Sequence, residues 1–455
     1  MSDTNIETRH ARIVTNVPGP QSLRHFSRDQ RFIAPGIQTI ATLSQLTIER
    51  GNGCILEDVD GNRYIDFFAG VGVASLGYNH PSYVSAMQYQ VSMNHVGSFT
   101  SRARADLSEL LSTIAVGDLT RTQYYSSGAE AVEAALRLAK SYTKKTEFIG
   151  FWGGFHGKTL GVLGLLGDSF KHELGPLPFG MYSSPYADCR KCPFNLTVHD
   201  CAFACVDFLR KKIRHETTGS IAAIIVEPIQ GTAGNIIPPR GFLRELKALA
   251  KEIGALLIAD EMITGFGRTG RMFACEHEPV VPDIITIGKG FGGGFPVTGL
   301  MSREDIVFSK PFSLPSGSSS SYGGNPFAAA AALATVRTII DDGLVENSAR
   351  VGSMMLERLS AFGDRFPFVD RVQGKGLMIG MHLIRPGEPD RPLDKQYTQL
   401  IFRECLKRGL ILMGYNADIR INPPLIITEE IAEEGIEIME EVFAYAADRI
   451  DTEST

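Results

Sequence analysis

The chain is poor in cysteine, in excess charge and in long apolar runs. It has seven cysteines among 455 residues. An odd, low count argues for reduced thiols rather than a disulfide framework. No run approaches the ~20 consecutive apolar residues that span a bilayer, so no membrane segment is expected. The start lacks an apolar core with a small-residue cleavage site, so no secretory signal is expected. Arg9, Arg12, Arg24, Arg28 and Arg31 are offset by Asp3, Glu7 and Asp29, which argues against a transit peptide. The expected location is cytoplasmic. A basic excess is missing too: the net charge is −6 and the pI near 6.0, which excludes a polybasic surface for nucleic acid or membrane. There is no internal repeat, and Ser318 to Ser321 is the one low-complexity spot.

What remains is a globular composition, 44% hydrophobic and 21% charged, with ample material for a large core. Residues 1–35 read as an arm, broken at Asn16-Val17-Pro18-Gly19-Pro20. Residues 53–68 alternate around Asp60-Gly61, a hairpin signature. Residues 82–96 and 104–115 have helical patterning. From about residue 120, short apolar runs alternate with amphipathic ones. Tyr124-Tyr125 precedes a helix over 129–144. Phe148 to Phe151 precedes a long excursion, Ile221 to Val226 a helix over 241–253, and Ala255 to Ala259 the run Ile284 to Ile287. Continuous apolar strands separated by helices imply an α/β unit, a mainly parallel sheet covered by helices on both faces. A helix over 325–341 leaves it. Residues 341–455 mix short strands with helices over 394–408 and 429–448, the pattern of a smaller α+β domain. The expected division is 1–75, 76–340 and 341–455.

The chemistry-bearing residues fall where apolar runs end, the usual place for ligands in open α/β sheets. Lys289 follows Ile284 to Ile287 in a glycine-rich turn. A lysine at a buried strand end either snorkels to solvent or has a partner or a task, such as a Schiff base with an aldehyde cofactor. Asp260-Glu261 ends the run Leu256 to Ala259. Asp260 is a helix cap, an ion-pair partner of Arg268, or the counter-charge of a pyridinium nitrogen. Ser126-Ser127-Gly128-Ala129-Glu130 opens a helix. It reads as a capping box of Ser127 with Glu130, as a phosphate site, or as both. Phe155 in Trp152-Gly153-Gly154-Phe155-His156-Gly157-Lys158 is a core aromatic in a turn or a ring set close to a ligand. Glu227 and Gln230 end a further strand, either as turn chemistry or as orienting groups. Cys189, Cys192, Cys201 and Cys205 have spacings near those of metal sites. The segment between the pairs is short for a zinc ribbon, so packed thiols are expected and no metal.

Taken together, PDIITIGKG at Lys289, DEMITGFGRTG at Asp260, SSGAEA, GGFHGKT, VEPIQG and SSYGGNP resemble the class III (omega-) aminotransferases, fold-type I pyridoxal phosphate enzymes. The 4-aminobutyrate aminotransferase-like members are the nearest in pattern. The resemblance covers about residues 30–450. It implies a large, mainly parallel sheet domain plus a smaller α+β domain built from both termini. It implies that Lys289 carries the cofactor and moves the proton, and that Asp260 pairs with the pyridine nitrogen. Gln230 would bind the phenolic oxygen, and Glu227 and His156 would belong to the same shell. Phe155 and Met262 would cover the two ring faces. Ser127, Gly128 and Ala129 would hold the phosphate, with Ser321 reaching it from a neighbouring subunit. The implied assembly is a homodimer with shared active sites, or a tetramer built on it. An amine donor and a 2-oxo acid acceptor are the implied small-molecule partners.

Two positions depart from the family pattern. Lys158 stands where an arginine is common, and Thr232 where 4-aminobutyrate enzymes have a glutamate. That glutamate pairs with an arginine matching Arg420, which here lacks its usual gate. Val71 would line the same pocket. The cysteine excursion also resembles insertions in amino-acid racemases of the family. Racemisation or epimerisation is therefore the alternative to amino transfer.

Overall fold

The computed structural model describes residues 9–167 and 169–450. Asp3 and Glu7 of the expected arm, with the rest of residues 1–8, lie outside the described residues. The chain divides into two units. One joins the segment up to His80 with the segment from Asn347, and the other runs Pro81–Glu346.

The middle unit is built on a seven-stranded sheet. Its spatial order is Arg121–Tyr125, Thr298–Ser302, Ile284–Ile287, Leu256–Asp260, Ile221–Val226, Glu147–Phe151, Met181–Ser184. Thr298–Ser302 runs antiparallel to both its neighbours, and every other pair is parallel. Ile221–Val226 and Leu256–Asp260 are buried along their whole length, which explains their uninterrupted apolar sequences. Each fully buried Ile or Leu there contributes about 1.5–3 kcal/mol. The helix Gly128–Thr143 turns an alanine-rich stripe, Ala131, Ala134, Ala135 and Ala139, onto this sheet. Pro326–Asp341 packs on Pro81–Val91 and Arg102–Thr113. The first of those two helices ends at Val91, five residues before the end of its pattern at 96. Two glutamines and two serines in 85–92 weaken the apolar stripe there.

In the other unit, Ile48–Asn52, Ile55–Asp58 and Arg63–Asp66 form an antiparallel meander whose turn holds Asp60-Gly61. Leu410–Ile411 adds to its edge in parallel, so both ends of the chain share one sheet. A second sheet has Met378–Arg385 at its centre, longer than the apolar triplet 377–379 suggests, because Val369–Lys375 and Asp418–Ile421 flank it. The arm is not wholly irregular. Pro20, read as a breaker, is the first residue of the helix Pro20–Gln30. The Asp60 carboxylate accepts from the backbone N–H of Gln21 at 2.8 Å and of Ser22 at 2.7 Å, fastening that helix start to the hairpin turn. Among the described residues, no helix is long and apolar enough to cross a membrane.

Candidate active site

At the carboxyl ends of the parallel strands lies a cavity of about 280 Å³. Gly128, Ala129, Phe155, His156, Glu227, Asp260, Met262 and Lys289 all line it. These eight sequence-expected residues come from five separate segments, each placed by the strand that precedes it.

Asp260 ends its strand with its side chain buried. Its Oδ2 lies 2.7 Å from Nδ1 of His156, and its Oδ1 accepts the Thr286 hydroxyl at 2.7 Å. His156 is therefore a partner of this carboxylate, one that the sequence did not indicate. Burial opposes the charge on both groups, but mutual attraction wins. The Asp260 pKa is lowered by His156, Thr286 and the Lys289 charge, and that of His156 is raised by Asp260 and Glu227. The adjacent Glu261 points elsewhere: it accepts from the N–H of Ala274 at 3.0 Å and of Cys275 at 2.7 Å, a structural role.

Glu227 clamps two loops. Its Oε1 accepts the Phe155 N–H at 2.8 Å and its Oε2 the Gly231 N–H at 3.0 Å. Burial pushes its carboxyl pKa up, and the His156 charge and these amides offset only part of that. Gln230 does not line the cavity; its Nε2 donates to the Trp152 carbonyl at 2.8 Å. Lys289 has φ +44°, a left-handed conformation uncommon for a side chain of this kind and typical of functional sites. Before it, Gly288 lets the Met262 side chain pack close: a Cβ there would fall 2.1 Å from the Met262 sulfur.

At the helix start, Ser127 Oγ accepts from the Glu130 N–H at 3.3 Å, while Glu130 Oε2 reaches back to the Ser126 N–H at 3.0 Å. Capping thus uses the third amide of the helix. The first two, on Gly128 and Ala129, belong to residues that line the cavity. Thr298 Oγ1 donates to the Ser127 carbonyl at 2.9 Å and holds this start against the sheet. Thr286 and Thr298 were missed by sequence reading. The available signal was a hydroxyl residue in each of two short buried strands, the lone Thr286 in Ile284–Ile287 and Thr298 at the start of Thr298–Ser302.

Other expected residues stand apart from the cavity. Thr232 is half-buried in the turn after Gln230, and Ser321 is exposed. Lys158 lies over the Phe155 and Phe170 rings. Val71, with φ +66°, and Arg420, on the strand Asp418–Ile421, belong to the other unit. All seven cysteines are free thiols. Burial, with Cys201 and Cys189 nearby, pushes the Cys205 thiol up to about 11. Among the described residues, no three His, Cys, Asp or Glu side chains group to hold a metal ion.

The family model of the class-III aminotransferases matches residues 39–443. The chain belongs to this family. This aminotransferase is 33% identical over 455 residues to the 4-aminobutyrate aminotransferase of Mycobacterium leprae, across 96% of this chain and 99% of that one. It is 34% identical over 446 residues to the alanine/serine racemase of Pyrococcus horikoshii, across 95% and 92%. A PLP-bound amine transaminase from an uncultivated Pseudomonas species superposes with a TM-score of 0.86 at 29% identity, covering 91% of this chain and 99% of that one. The fold is that of the fold-type I aminotransferases, and the cofactor of the class III enzymes is pyridoxal 5'-phosphate. The donor set of the cavity fits that group: an ionised buried carboxylate, one lysine, a helix start with two amides, and an aromatic ring.

Proposed function

We propose that the enzyme moves an amino group from a primary amine or omega-amino acid, of the 4-aminobutyrate type, to a 2-oxo acid such as pyruvate or 2-oxoglutarate, in two ping-pong half-reactions. The observation that carries this reading is Asp260, held ionised by His156 and Thr286 on the wall of the cavity that Lys289 also lines. A fixed negative charge there keeps a pyridine nitrogen protonated. Bound pyridoxal 5'-phosphate supplies an electron sink for the substrate's C–H bond electrons. Lys289 Nζ is the atom that takes and returns the proton. The Gly128 and Ala129 amides, at the positive end of the helix Gly128–Thr143, hold the phosphate. Phe155 and Met262 exclude water from the two ring faces. Gln230, whose amide donates to the Trp152 carbonyl, enters as the partner of the phenolic oxygen by resemblance alone.

A homodimer with shared sites belongs to this reading. It is supported by an exposed apolar surface beside Ser321. Val96, Phe99 and Tyr322 are 53%, 72% and 73% exposed. A Cβ on Gly97 would fall 3.3 Å from the Ser321 carbonyl oxygen and 3.3 Å from Asn325 Cβ, which places the 96–99 segment against this loop. The free thiols support a cytoplasmic location. Val71, Thr232 and Arg420 enter as substrate residues by resemblance alone.

The racemase relative supports a second reading, in which Lys289 returns the proton to the substrate carbon. A half-reaction screen separates the two. Holoenzyme is mixed with a panel of amines and amino acids, and cofactor absorbance and 2-oxo products are followed. Donors that discharge the spectrum and yield the oxo product support amino transfer. Deuterium uptake at the α-carbon with loss of chirality, and no discharge, would replace it with racemisation.

A further inference from the structure

We propose that the outer face of the antiparallel meander is a second ligand site, which takes a small molecule carrying a phosphate ester or diphosphate. The site is separate from the reaction proposed above. The register of the three strands builds it. Arg50 stands opposite Glu57, and Glu57 opposite Arg63, so the three side chains form one row across the sheet. Successive side chains alternate between faces. Leu56 and Tyr64, one residue out of step with the row, pack into the core on the other side. Arg50 Nη2 lies 2.5 Å from one Glu57 oxygen, and Arg63 Nε lies 3.1 Å from the other. Over this row opens a cavity of about 870 Å³, lined by Arg50, Glu57 and Arg63 and also by Arg9. The arm brings Arg9 there, because Arg12 and Arg63 exchange backbone hydrogen bonds of 3.0 and 2.7 Å. Asn52 and Asn79 add amides to the lining, and Ile55 adds an apolar patch.

Charge selects the ligand. Three arginines against one glutamate leave the lining with an excess of two positive charges. Two further carboxylates stand near: Glu441 lies 3.7 Å from Arg9, too far for a hydrogen bond, and Glu434 is taken up by Nδ1 of His10 at 2.9 Å. A phosphate ester carries close to two negative charges near neutral pH and three terminal oxygens. Guanidinium forks match such oxygens. Glu57 takes one nitrogen from each of its two arginines, which leaves further N–H groups on both. The Arg50 hydrogen bond holds the Glu57 carboxyl below the usual carboxylate range. Glu57 is thus an ionised internal competitor, which aligns the row and opposes an incoming anion. The volume lies in the upper part of the ~300–1,000 Å³ range of small-molecule sites, so an organic body fits beside the phosphate.

The test is isothermal titration of holoenzyme, dialysed free of excess cofactor, with inorganic phosphate, pyrophosphate and ADP. Bound cofactor keeps these probes out of the other cavity. Wild type should bind about one equivalent of pyrophosphate or ADP per chain, and phosphate more weakly. ADP binding tighter than pyrophosphate assigns a nucleotide-like ligand; equal affinities assign the diphosphate group alone. Arg50→Gln combined with Arg63→Gln should weaken binding about tenfold or more. Glu57→Gln removes the competing charge but keeps an acceptor, and should tighten binding about threefold. Ile55→Trp fills the cavity without touching an arginine and should abolish ADP binding. Circular dichroism and cofactor absorbance report that each variant is folded. No binding to wild type at about 10 mM of any probe would overturn the inference. So would unchanged affinity in the double arginine variant or in Ile55→Trp, or weaker binding by Glu57→Gln.

Discussion

Nδ1 of His156 and Oδ2 of Asp260 are 2.7 Å apart, and the two side chains are almost wholly shielded from water. An ion pair at this depth is stable only because each charge has a partner; removing one strands the other. The pair keeps a negative charge on Asp260 without leaving it exposed, and Thr286 holds the second oxygen.

The pair should show itself in stability against pH. The raised pKa of His156 means that its contribution is fully present below the ordinary imidazole value, about 6.5, and is lost as pH rises through the folded value. The lowered pKa of Asp260 means that its contribution is present above the ordinary carboxylate value and is lost as pH falls through the folded one. The pair is thus intact between the two folded values. His156→Gln should lower stability by about 1–3 kcal/mol within that window. It should also abolish the alkaline decline. Thermal unfolding midpoints of wild type and variant across pH check this, and parallel profiles would count against an ionised pair.

Replacing Lys289 should separate binding from chemistry. Lys289→Ala should still take up pyridoxal 5'-phosphate, because the helix start and Asp260 remain. Its half-reaction should slow by on the order of 10³-fold or more. Borohydride treatment followed by peptide mass spectrometry should trap cofactor on residue 289 of wild type and nowhere in the variant. Trapping at another lysine of the variant would displace Lys289 from its role.

Gly157→Ala tests the close passage between the His156 loop and the start of the helix Gly128–Thr143. The new methyl would overlap Ala129, whose Cα lies 2.8 Å away, and φ +119° disfavours any Cβ. A loss of about 1–3 kcal/mol in stability and a severalfold weaker grip on the cofactor are expected. Equilibrium dialysis of apoenzyme against cofactor measures the second effect, and wild-type affinity would show that the two segments separate freely.

Much of the site was legible residue by residue. Lys289, Asp260, Glu227 and the Gly128–Ala129 start all follow apolar runs, and the structure gathers them around one cavity. The pairings among them were not legible. Asp260 and Thr286 face each other only because Leu256–Asp260 and Ile284–Ile287 lie in parallel register. Nothing in either segment states that register. Lys158 and Phe170 meet through an excursion with no periodicity to read.

The sequence by itself determined which segments are buried strands, since continuous Ile, Leu, Val and Ala runs can satisfy their surroundings only inside a covered sheet. Through its motifs, it also determined the family, and it singled out Lys289 as the lysine proposed for the chemistry. Only the tertiary structure decided that Asp260 is neutralised by a histidine 104 residues away. It alone decided that Gln230 faces Trp152 and that Lys158 rests on aromatic rings. Buried charge and polar groups are satisfied by whatever partner the packing brings within hydrogen-bond reach, and that distance is a property of the fold rather than of sequence spacing.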